Sequence, residues 1–202
     1  MTHVPIMDYP ARELLQTVEP LSVEEQKTLA RRIRDNIYTH PEEAFLAALC
    51  YYHGLLPSQI CHLKTNDVDV ERGTIKVGGR PPVYLLAEDF LLLEQFLRKR
   101  TELPYARSRS HLFISHIYQL HDTPLGKGSV LLKVRAFTGH APQRLRITCF
   151  SALSARYGPH YLVEAFGLSL TQSSRYGTLQ EFLLEEEVKQ QREGFLELSR
   201  RL

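Results

Sequence analysis

Tyr176 stands directly after an arginine in a polar segment of small residues, "SLTQSSRYG", that leads into the last predicted helix. A tyrosine hydroxyl acts as a nucleophile and forms a covalent intermediate when neighbouring groups activate it. A tyrosine at a helix start is also a common packing residue whose hydroxyl bonds to a neighbour. These residues alone leave both interpretations open, so the rest of the chain must decide between them.

Two other stretches contain residues that bind ions in many proteins. His111, His116 and His121 fall five residues apart around a short extended segment, without the CxxC or HxxxH spacing common in metal sites. The "GKGS" at 126–129 precedes a helix and could hold a phosphate there, but it lacks the GxxxxGK[ST] spacing of a nucleotide-binding loop. We therefore expect exposed loop histidines and a helix cap, with no metal and no cofactor.

The composition is typical of one globular domain. The chain has 202 residues, of which 43% are hydrophobic and 24% charged, so it can bury a substantial core. No stretch approaches the roughly 18 apolar residues of a membrane-spanning helix, and the first residues lack a signal-peptide pattern. Cys50, Cys61 and Cys149 are too scattered for a disulfide framework. We expect a cytoplasmic protein with reduced thiols and no membrane partner.

The charge is distributed unevenly along the chain, although its formal net value is only +2. Residues 1–71 carry 6 Lys+Arg against 11 Asp+Glu, residues 72–146 carry 13 against 5, and residues 147–202 carry 6 against 7. A basic middle between acidic ends suits a surface that binds a polyanion such as double-stranded DNA. A solvated surface that happens to be basic is the alternative.

The clusters "RKR" at 98–100 and "RSR" at 107–109 are either a patch for the DNA backbone or basic residues favoured at a helix end by its dipole. On the first interpretation, the basic residues of the middle segment are candidate DNA contacts. They are Arg98, Lys99, Arg100, Arg107, Arg109, Lys127, Lys133, Arg135 and Arg144.

The elements that must position these residues begin with three helices. Ser22 and Glu25 form a capping-box pattern that opens an amphipathic helix. Pro41 begins a second helix, which ends at Gly54, and Pro57 lies in the first turn of a short third helix.

The pattern changes after the third helix. Residues 67–86 alternate between apolar and polar types around two glycine-containing turns, which predicts a small antiparallel sheet of two or three strands. Helical spacing then returns, interrupted by a short strand or extended segment at 111–116. The predicted fold class is mainly α with a small antiparallel β-sheet (α+β).

Three segments together resemble the catalytic domain of the tyrosine recombinases, the phage integrase family. The first contains "GLLPSQICHLKTNDVDVERGTIKV" and is similar to that family's "TGLRxSEL" turn followed by "xxDIDxxxxTIxV". The second, "APQRLRITCFSAL", is similar to "SPHDLRHTFATHL", and the third, "FGLSLTQSSRYG", to "LGHSSxxTTxRYTH". The resemblance covers roughly residues 20–180 and implies the fold of that domain.

The resemblance also implies a metal-free reaction on DNA. In this family a tyrosine attacks a phosphodiester and forms a 3′-phosphotyrosine link, so strands are exchanged and resealed without ATP. Two arginines and histidines stabilise the charge of the transition state. A lysine on the β-hairpin gives a proton to the leaving oxygen.

Only part of that catalytic set is present in this sequence. Tyr176 stands at the nucleophile position, and Arg146, in "LRIT", stands at the second arginine position. The family's first arginine is replaced by Leu56, and its two histidines are replaced by Gln143 and Leu168. Removing one preorganised donor typically costs about 3–4 kcal/mol of transition-state stabilisation. We therefore expect strand cleavage to be impaired or absent.

Substitutes for the missing groups are few. The family's lysine has no clear match, since Lys76 lies on a strand and Arg80 in the hairpin. An arginine binds phosphate well but is too basic to be a good proton donor. His140 lies near the second motif, and His53 and His62 flank the turn that lost its arginine; histidines at such places are more often surface residues.

The predicted layout is an extended lead-in over 1–21, a recombinase-like domain over 22–178 and a C-terminal helix over 179–202. About 20 residues precede the first helix of the domain, so we expect one half of a DNA clamp at most. The last helix carries an apolar stripe beside the acidic cluster 185–187, which predicts packing in cis or on a second chain, a homo-oligomer or a partner recombinase. The stripe is Leu179, Phe182, Leu183, Phe195 and Leu198.

Three functional classes stay open. The chain is a DNA-binding, recombinase-like protein that no longer cuts, an active strand-transferring enzyme with a rearranged site, or a protein-interaction module that has lost DNA binding. Steep salt dependence of duplex binding separates the first two from the third, because phosphate contacts release counterions. A covalent adduct with a nicked duplex separates the second from the first.

Overall fold

The structure is a computed structural model that describes residues 18–103, 106–115, 122–177 and 183. The described part is mainly helical with one small antiparallel sheet, which confirms the predicted fold class. The predicted C-terminal helix, apart from Leu183, and residues 1–17 of the lead-in lie outside the described residues. The helices are α1 (Val23–Asp35), α2 (Pro41–Tyr51), α3 (Pro57–His62), α4 (Ala87–Thr101), α5 (Lys127–Thr138), α6 (Pro142–Tyr157), α7 (Pro159–Phe166) and α8 (Leu170–Ser173).

The first helix begins where the capping-box pattern predicts. The Glu25 backbone N–H donates to Ser22 Oγ at 3.2 Å, and the Ser22 N–H donates to Glu25 Oε2 at 2.7 Å. These bonds satisfy two of the backbone donors that a helix start leaves without partners. Just before the cap, the N–H of Leu21 donates to Thr148 Oγ1 at 2.8 Å, so the described end of the lead-in is fixed to α6.

Helix α2 is the centre of the main core. Its residues 44–50 are all fully buried, and α1, α4, α5 and α6 pack around it. The ring centroid of Phe45 lies 5.6 Å from that of Phe96 and 5.9 Å from that of Phe113. These contacts join α2 to α4 and to the segment that contains Phe113. A helix that is apolar on all faces is stable only inside such a bundle.

The sheet has three short strands in the order β1-β2-β3, all antiparallel: β1 (Val68–Asp69), β2 (Thr74–Ile75) and β3 (Val83–Tyr84). Ile75 pairs with Val83, and both side chains are buried, so one face of the sheet packs on the core. The β2–β3 connection, residues 76–82, forms a hairpin that extends from this sheet and carries Arg80. The segment at 111–115 is extended and forms only isolated bridges, such as Lys64 with His111.

A second, smaller apolar cluster lies at the other end of α6. Its buried members are Cys149, Phe150, Leu162 and Leu168, and Tyr176 is among the partly buried residues that pack on it. This cluster fixes α6, α7 and the 3-10 turn at Ser174–Tyr176 relative to one another. Within the described ranges, no helix has the length and apolar character needed to cross a membrane.

Candidate active site

Phe150 is the residue around which the candidate site is built. Its ring meets Tyr176 edge-on at a centroid distance of 5.5 Å and an interplanar angle of 84°, and it meets Phe166 at 5.0 Å. Gly54 closes the other side with a φ of +60°, and a Cβ there would lie 2.5 Å from Phe150 Cε1. The turn after α2 can approach the ring only because residue 54 has no side chain.

Arg146 lies on the same ring. Its guanidinium carbon is 4.5 Å from the Phe150 centroid, and its Nε donates to the Gly54 carbonyl at 2.9 Å. Burial lowers the pKa of Arg146, and the neighbouring Tyr176 and Cys149 offset part of that shift. Arg146 and Tyr176 therefore both contact the ring of Phe150.

Arg80 reaches the same region from the β2–β3 hairpin. Its guanidinium carbon lies 4.8 Å from the Phe166 centroid, and its Nη1 donates to the His53 carbonyl at 3.4 Å. Burial lowers the pKa of Arg80, Cys149 offsets part of the shift, and the charge of Arg146 lowers the pKa further. Its Nε is buried and has no hydrogen-bond partner within the described structure.

A contact between His53 and the buried Asp89 supports the turn to which both arginines bond. His53 Nε2 lies 3.1 Å from Asp89 Oδ2, and Asp89 is only 3% exposed. The same carboxylate oxygen accepts a bond from the Leu86 N–H at 3.3 Å, at the start of α4. His53 thus orients the backbone of the turn, and its Nε2 is directed to Asp89 instead of to the site.

Comparison with solved structures shows the same architecture. XerA recombinase matches with a TM-score of 0.66 at 21% identity, over 86% of this chain and 65% of that one. XerH site-specific recombinase, in a post-cleavage complex with palindromic difH substrate, matches with a TM-score of 0.63 at 23% identity, over 85% and 52%. The Tn1549 transposon integrase, in complex with transposon right-end DNA, matches with a TM-score of 0.64 at 16% identity, over 90% and 70%. The fold is that of a tyrosine-recombinase catalytic domain.

Sequence comparison gives a related result. The type 1 fimbriae regulatory protein FimB of Escherichia coli, in strains K12 and O157:H7, is 28% identical over 123 residues. That match spans 54% of this chain and 58% of FimB, so the chain covers little more than half of this relative's length. No protein-family model matches the chain.

The three positions at which family residues are predicted to be replaced differ in burial. Leu56 is the N-cap residue of α3 and is 37% exposed, and Gln143 is exposed in the first turn of α6. Leu168 is 6% exposed and belongs to the cluster around Phe150. Leu168 is therefore a core residue at the position where the resemblance predicts a histidine.

The proposed substitutes divide into two groups. Arg80 is at the site, and Lys76 is exposed at the base of its hairpin. His140 is not directed there: its Nδ1 lies 3.2 Å from Arg144 Nη1, beside α1. His62 bonds through Nδ1 to the Ser58 carbonyl at 2.6 Å, within α3.

A basic cleft of about 700 Å³ adjoins the site. It lies between α3, the hairpin and the end of α7, and Lys64, Lys76, Arg80 and Asp67 are among its lining residues. Lys64 stands alone between two elements and belongs to no basic cluster, so the pattern of charges in the sequence does not mark it. Its place beside the hairpin is visible only in the tertiary structure.

The structure corrects two of the candidate DNA contacts. Arg100 is 7% exposed, and its guanidinium donates to the carbonyls of Leu112, Ala106, Arg109 and His111, so it holds the loop after α4 instead of facing DNA. Arg144 donates to both carboxylate oxygens of Glu25, at 2.9 and 3.0 Å, and to the Glu19 carbonyl.

The remaining basic candidates differ in exposure. Lys133 lies between the carboxylates of Glu42 and Glu43, at 3.5 and 3.0 Å, and Arg109 is 9% exposed. The side chain of Arg107 lies outside the described structure. The exposed candidates are Arg98, Lys99, Lys127 and Arg135.

The histidine triplet is described only in part. His111 Nδ1 lies 3.2 Å from Asp122 Oδ1, and the Ser110 hydroxyl donates to the other oxygen of the same carboxylate. His116 and His121 lie outside the described residues. Among the residues that are described, no group of three or more acidic, histidine or cysteine side chains is arranged to hold a metal ion.

Proposed function

We propose that this chain is a recombinase-like, DNA-binding protein whose ability to cut DNA is impaired or lost, and that it acts as an accessory or regulatory factor. The observation that carries the proposal is that the site contains some of the predicted catalytic residues and lacks others. Tyr176 and Arg146 share the face formed by Phe150, whereas the counterpart of a family histidine is the buried Leu168.

The chemistry of strand cleavage explains why the missing donors matter. Attack on a phosphodiester builds negative charge on the non-bridging oxygens, and catalysis needs donors already directed at it. A leucine at 56 and another at 168 supply none. Each lost donor typically costs about 3–4 kcal/mol of transition-state stabilisation, so two losses together with the missing proton donor are expected to impair cleavage severely.

DNA binding needs less than cleavage does. The basic cleft lined by Lys64, Lys76 and Arg80 presents positive charge beside the site, and Arg98 and Lys99 are exposed at the end of α4. Such side chains bind a phosphate backbone without reading its sequence. The solved XerH and Tn1549 integrase structures contain DNA, which supports a duplex as the partner.

The similarity to FimB, a type 1 fimbriae regulatory protein, supports a role in regulation through DNA. A DNA-bound factor of this kind would act in the cytoplasm.

Two measurements test the proposal. Wild-type protein should bind a duplex of any sequence with an affinity that falls steeply as salt rises, because phosphate contacts release counterions. On a nicked duplex, a recombinase that cleaves DNA accumulates a covalent protein–DNA adduct. Wild-type protein should yield no such adduct, and Tyr176→Phe should behave identically. Absence of duplex binding at low salt would favour the protein-interaction function instead.

One observation favours an alternative function, that of an active strand-transferring enzyme with a rearranged site. Arg80 lies beside Arg146 and brings a second guanidinium to the site, as an active enzyme with a rearranged site would require. That enzyme would give a covalent adduct with the wild type and none with Tyr176→Phe. The same trapping experiment therefore separates the two functions.

The C-terminal stripe is expected to pack either in cis or on a second chain, and deleting residues 179–202 separates the two cases. If the stripe packs on a second chain, the deletion should convert a dimeric parent to a folded monomer, as measured by light scattering. A parent that stays monomeric at high concentration, with a deletion that unfolds, would show that the segment packs in cis.

A further inference from the structure

We propose that Arg80 and Arg146 together form a binding site for one phosphate group, in which Arg80 supplies the positive charge that Leu56 cannot. The inference deepens the proposed function and rests on it for the source of the phosphate, a DNA phosphodiester beside Tyr176. It assigns the hairpin arginine as a binding residue instead of a proton donor.

The two guanidinium groups are held by matching contacts. Arg80 Nη1 donates to the carbonyl of His53, and Arg146 Nε donates to the carbonyl of Gly54, the next residue. Each guanidinium also lies against a phenylalanine, and those two rings contact each other at a centroid distance of 5.0 Å. Backbone and aromatic contacts therefore fix both cations as neighbours before any ligand arrives.

The electrostatics of this arrangement call for an anion. Within the described structure, no ion pair joins Arg80 or Arg146 to a carboxylate, although both are half-buried. The titratable group beside both is Cys149, whose buried thiol has its pKa raised to about 12 and is neutral at physiological pH. Two half-buried like charges without a counterion destabilise a site, and a bound anion offsets that cost.

The donors that remain suit a tetrahedral oxyanion. An arginine has five N–H donors in a planar fork, of which Arg146 gives one to Gly54 and Arg80 gives one to His53. The Nε of Arg80 is buried without a hydrogen-bond partner, so the guanidinium is incompletely satisfied within the described structure, which is costly for a charged group. Phosphate oxygens match such forks in a bidentate manner.

The hairpin is held in the position that this role needs. A Cβ on Gly167, which has a φ of +66° at the end of α7, would lie 3.5 Å from Arg80 Cβ. The end of α7 thus packs on the Arg80 backbone and limits how far the hairpin can swing. The adjoining basic cleft leaves space for a duplex backbone to approach.

The test uses inorganic phosphate as the probe and the thermal unfolding midpoint as the readout, with ionic strength held constant by sodium chloride. The free energy of unfolding of the wild-type protein should rise with the logarithm of one plus the ratio of phosphate concentration to Kd. Arg80→Gln and Arg146→Gln should each bind phosphate about ten- to 100-fold more weakly, the range expected for lost bonds to a charged group. Arg72→Gln is the matched control, because it removes the same charge from an exposed turn and should respond like wild type.

A second variant protects the test against misfolding. Arg80→Lys keeps the charge and most of the side-chain length but loses the fork, and it should also bind phosphate at least several-fold more weakly. Equal responses of wild type, Arg80→Gln and Arg72→Gln would overturn the proposal. So would a loss seen with Arg146→Gln and not with Arg80→Gln. Salt-dependent duplex binding that persists in those cases leaves the DNA-binding function standing, so the two failures are distinguishable.

Discussion

Gly54 and Phe150 are in contact across the site, and no larger residue fits at position 54. A Cβ there would lie 2.5 Å from Phe150 Cε1 and 2.9 Å from Cζ, and the backbone has a φ of +60°. The carbonyl of Gly54 is also the acceptor for Arg146 Nε. One glycine therefore sets both the packing of the aromatic cluster and the position of a candidate phosphate ligand.

This contact predicts the effect of Gly54→Ala. The substitution should lower the free energy of unfolding by about 2–5 kcal/mol, from backbone strain at positive φ and from overpacking against the ring. Gly78→Ala is the control, because Gly78 has a φ of +53° with nothing within 4 Å of its added Cβ, so it should show only the strain of about 1–2 kcal/mol. Urea unfolding measures the free energy of unfolding of both variants. Equal losses would show that the Phe150 ring shifts away from the added Cβ at little cost.

The two replaced leucines should respond differently to restoration of the family residues. Leu56→Arg should leave stability within about 0.5 kcal/mol, because the residue is 37% exposed, and should raise phosphate affinity. Leu168→His should cost about 2–4 kcal/mol, because it removes an apolar side chain from the Phe150 cluster and buries an imidazole. Chemical unfolding is the measurement, and an unfolded Leu56→Arg variant would show that this leucine is core.

Arg98 and Arg100 are two residues apart on α4 and should give opposite results. Arg100→Gln should lower the free energy of unfolding by about 3 kcal/mol or more, because it leaves buried carbonyls without their donor. Arg98→Gln should leave stability unchanged but lower duplex affinity for every sequence, with the salt slope reduced by about one phosphate contact. Unfolding curves and salt titrations separate the two effects, and unchanged duplex binding by Arg98→Gln would place the interface elsewhere.

The buried thiols predict a loss of stability at alkaline pH. Burial raises the pKa of Cys50 and of Cys149 to about 12, whereas an unfolded cysteine ionises near about 8.5. The unfolded state therefore releases these protons first, so their contribution is complete below about pH 8.5 and is lost as pH rises toward 12.

Urea unfolding at pH 7 and pH 10 measures this loss. Cys149→Ala should show a smaller decline between the two pH values than wild type, by about 1–2 kcal/mol, whatever its stability at pH 7. Identical declines would show that Cys149 ionises in the folded state as readily as in the unfolded one.

The sequence was sufficient for the elements and their order. The capping box at Ser22 and the prolines at 41 and 57 mark helix starts by local hydrogen bonding and fixed backbone angles. The alternation at 67–86 predicted the sheet, because side-chain period is a local property of a strand. The three motifs also predicted that Arg146 and Tyr176 belong to one site, and in the structure both side chains contact Phe150.

What each cation does was decided only by tertiary structure. Arg98 and Arg100 belong to the same basic run of the sequence, yet Arg98 is exposed and Arg100 is buried. The guanidinium of Arg100 donates to loop carbonyls as far as Leu112, 12 positions along the chain. Arg80 is an ordinary hairpin arginine until α7 and the turn at 53–54 bring it beside Arg146, which follows it by 66 positions. Burial and charge proximity depend on which distant segments pack together, and a linear pattern of residue types does not contain that information.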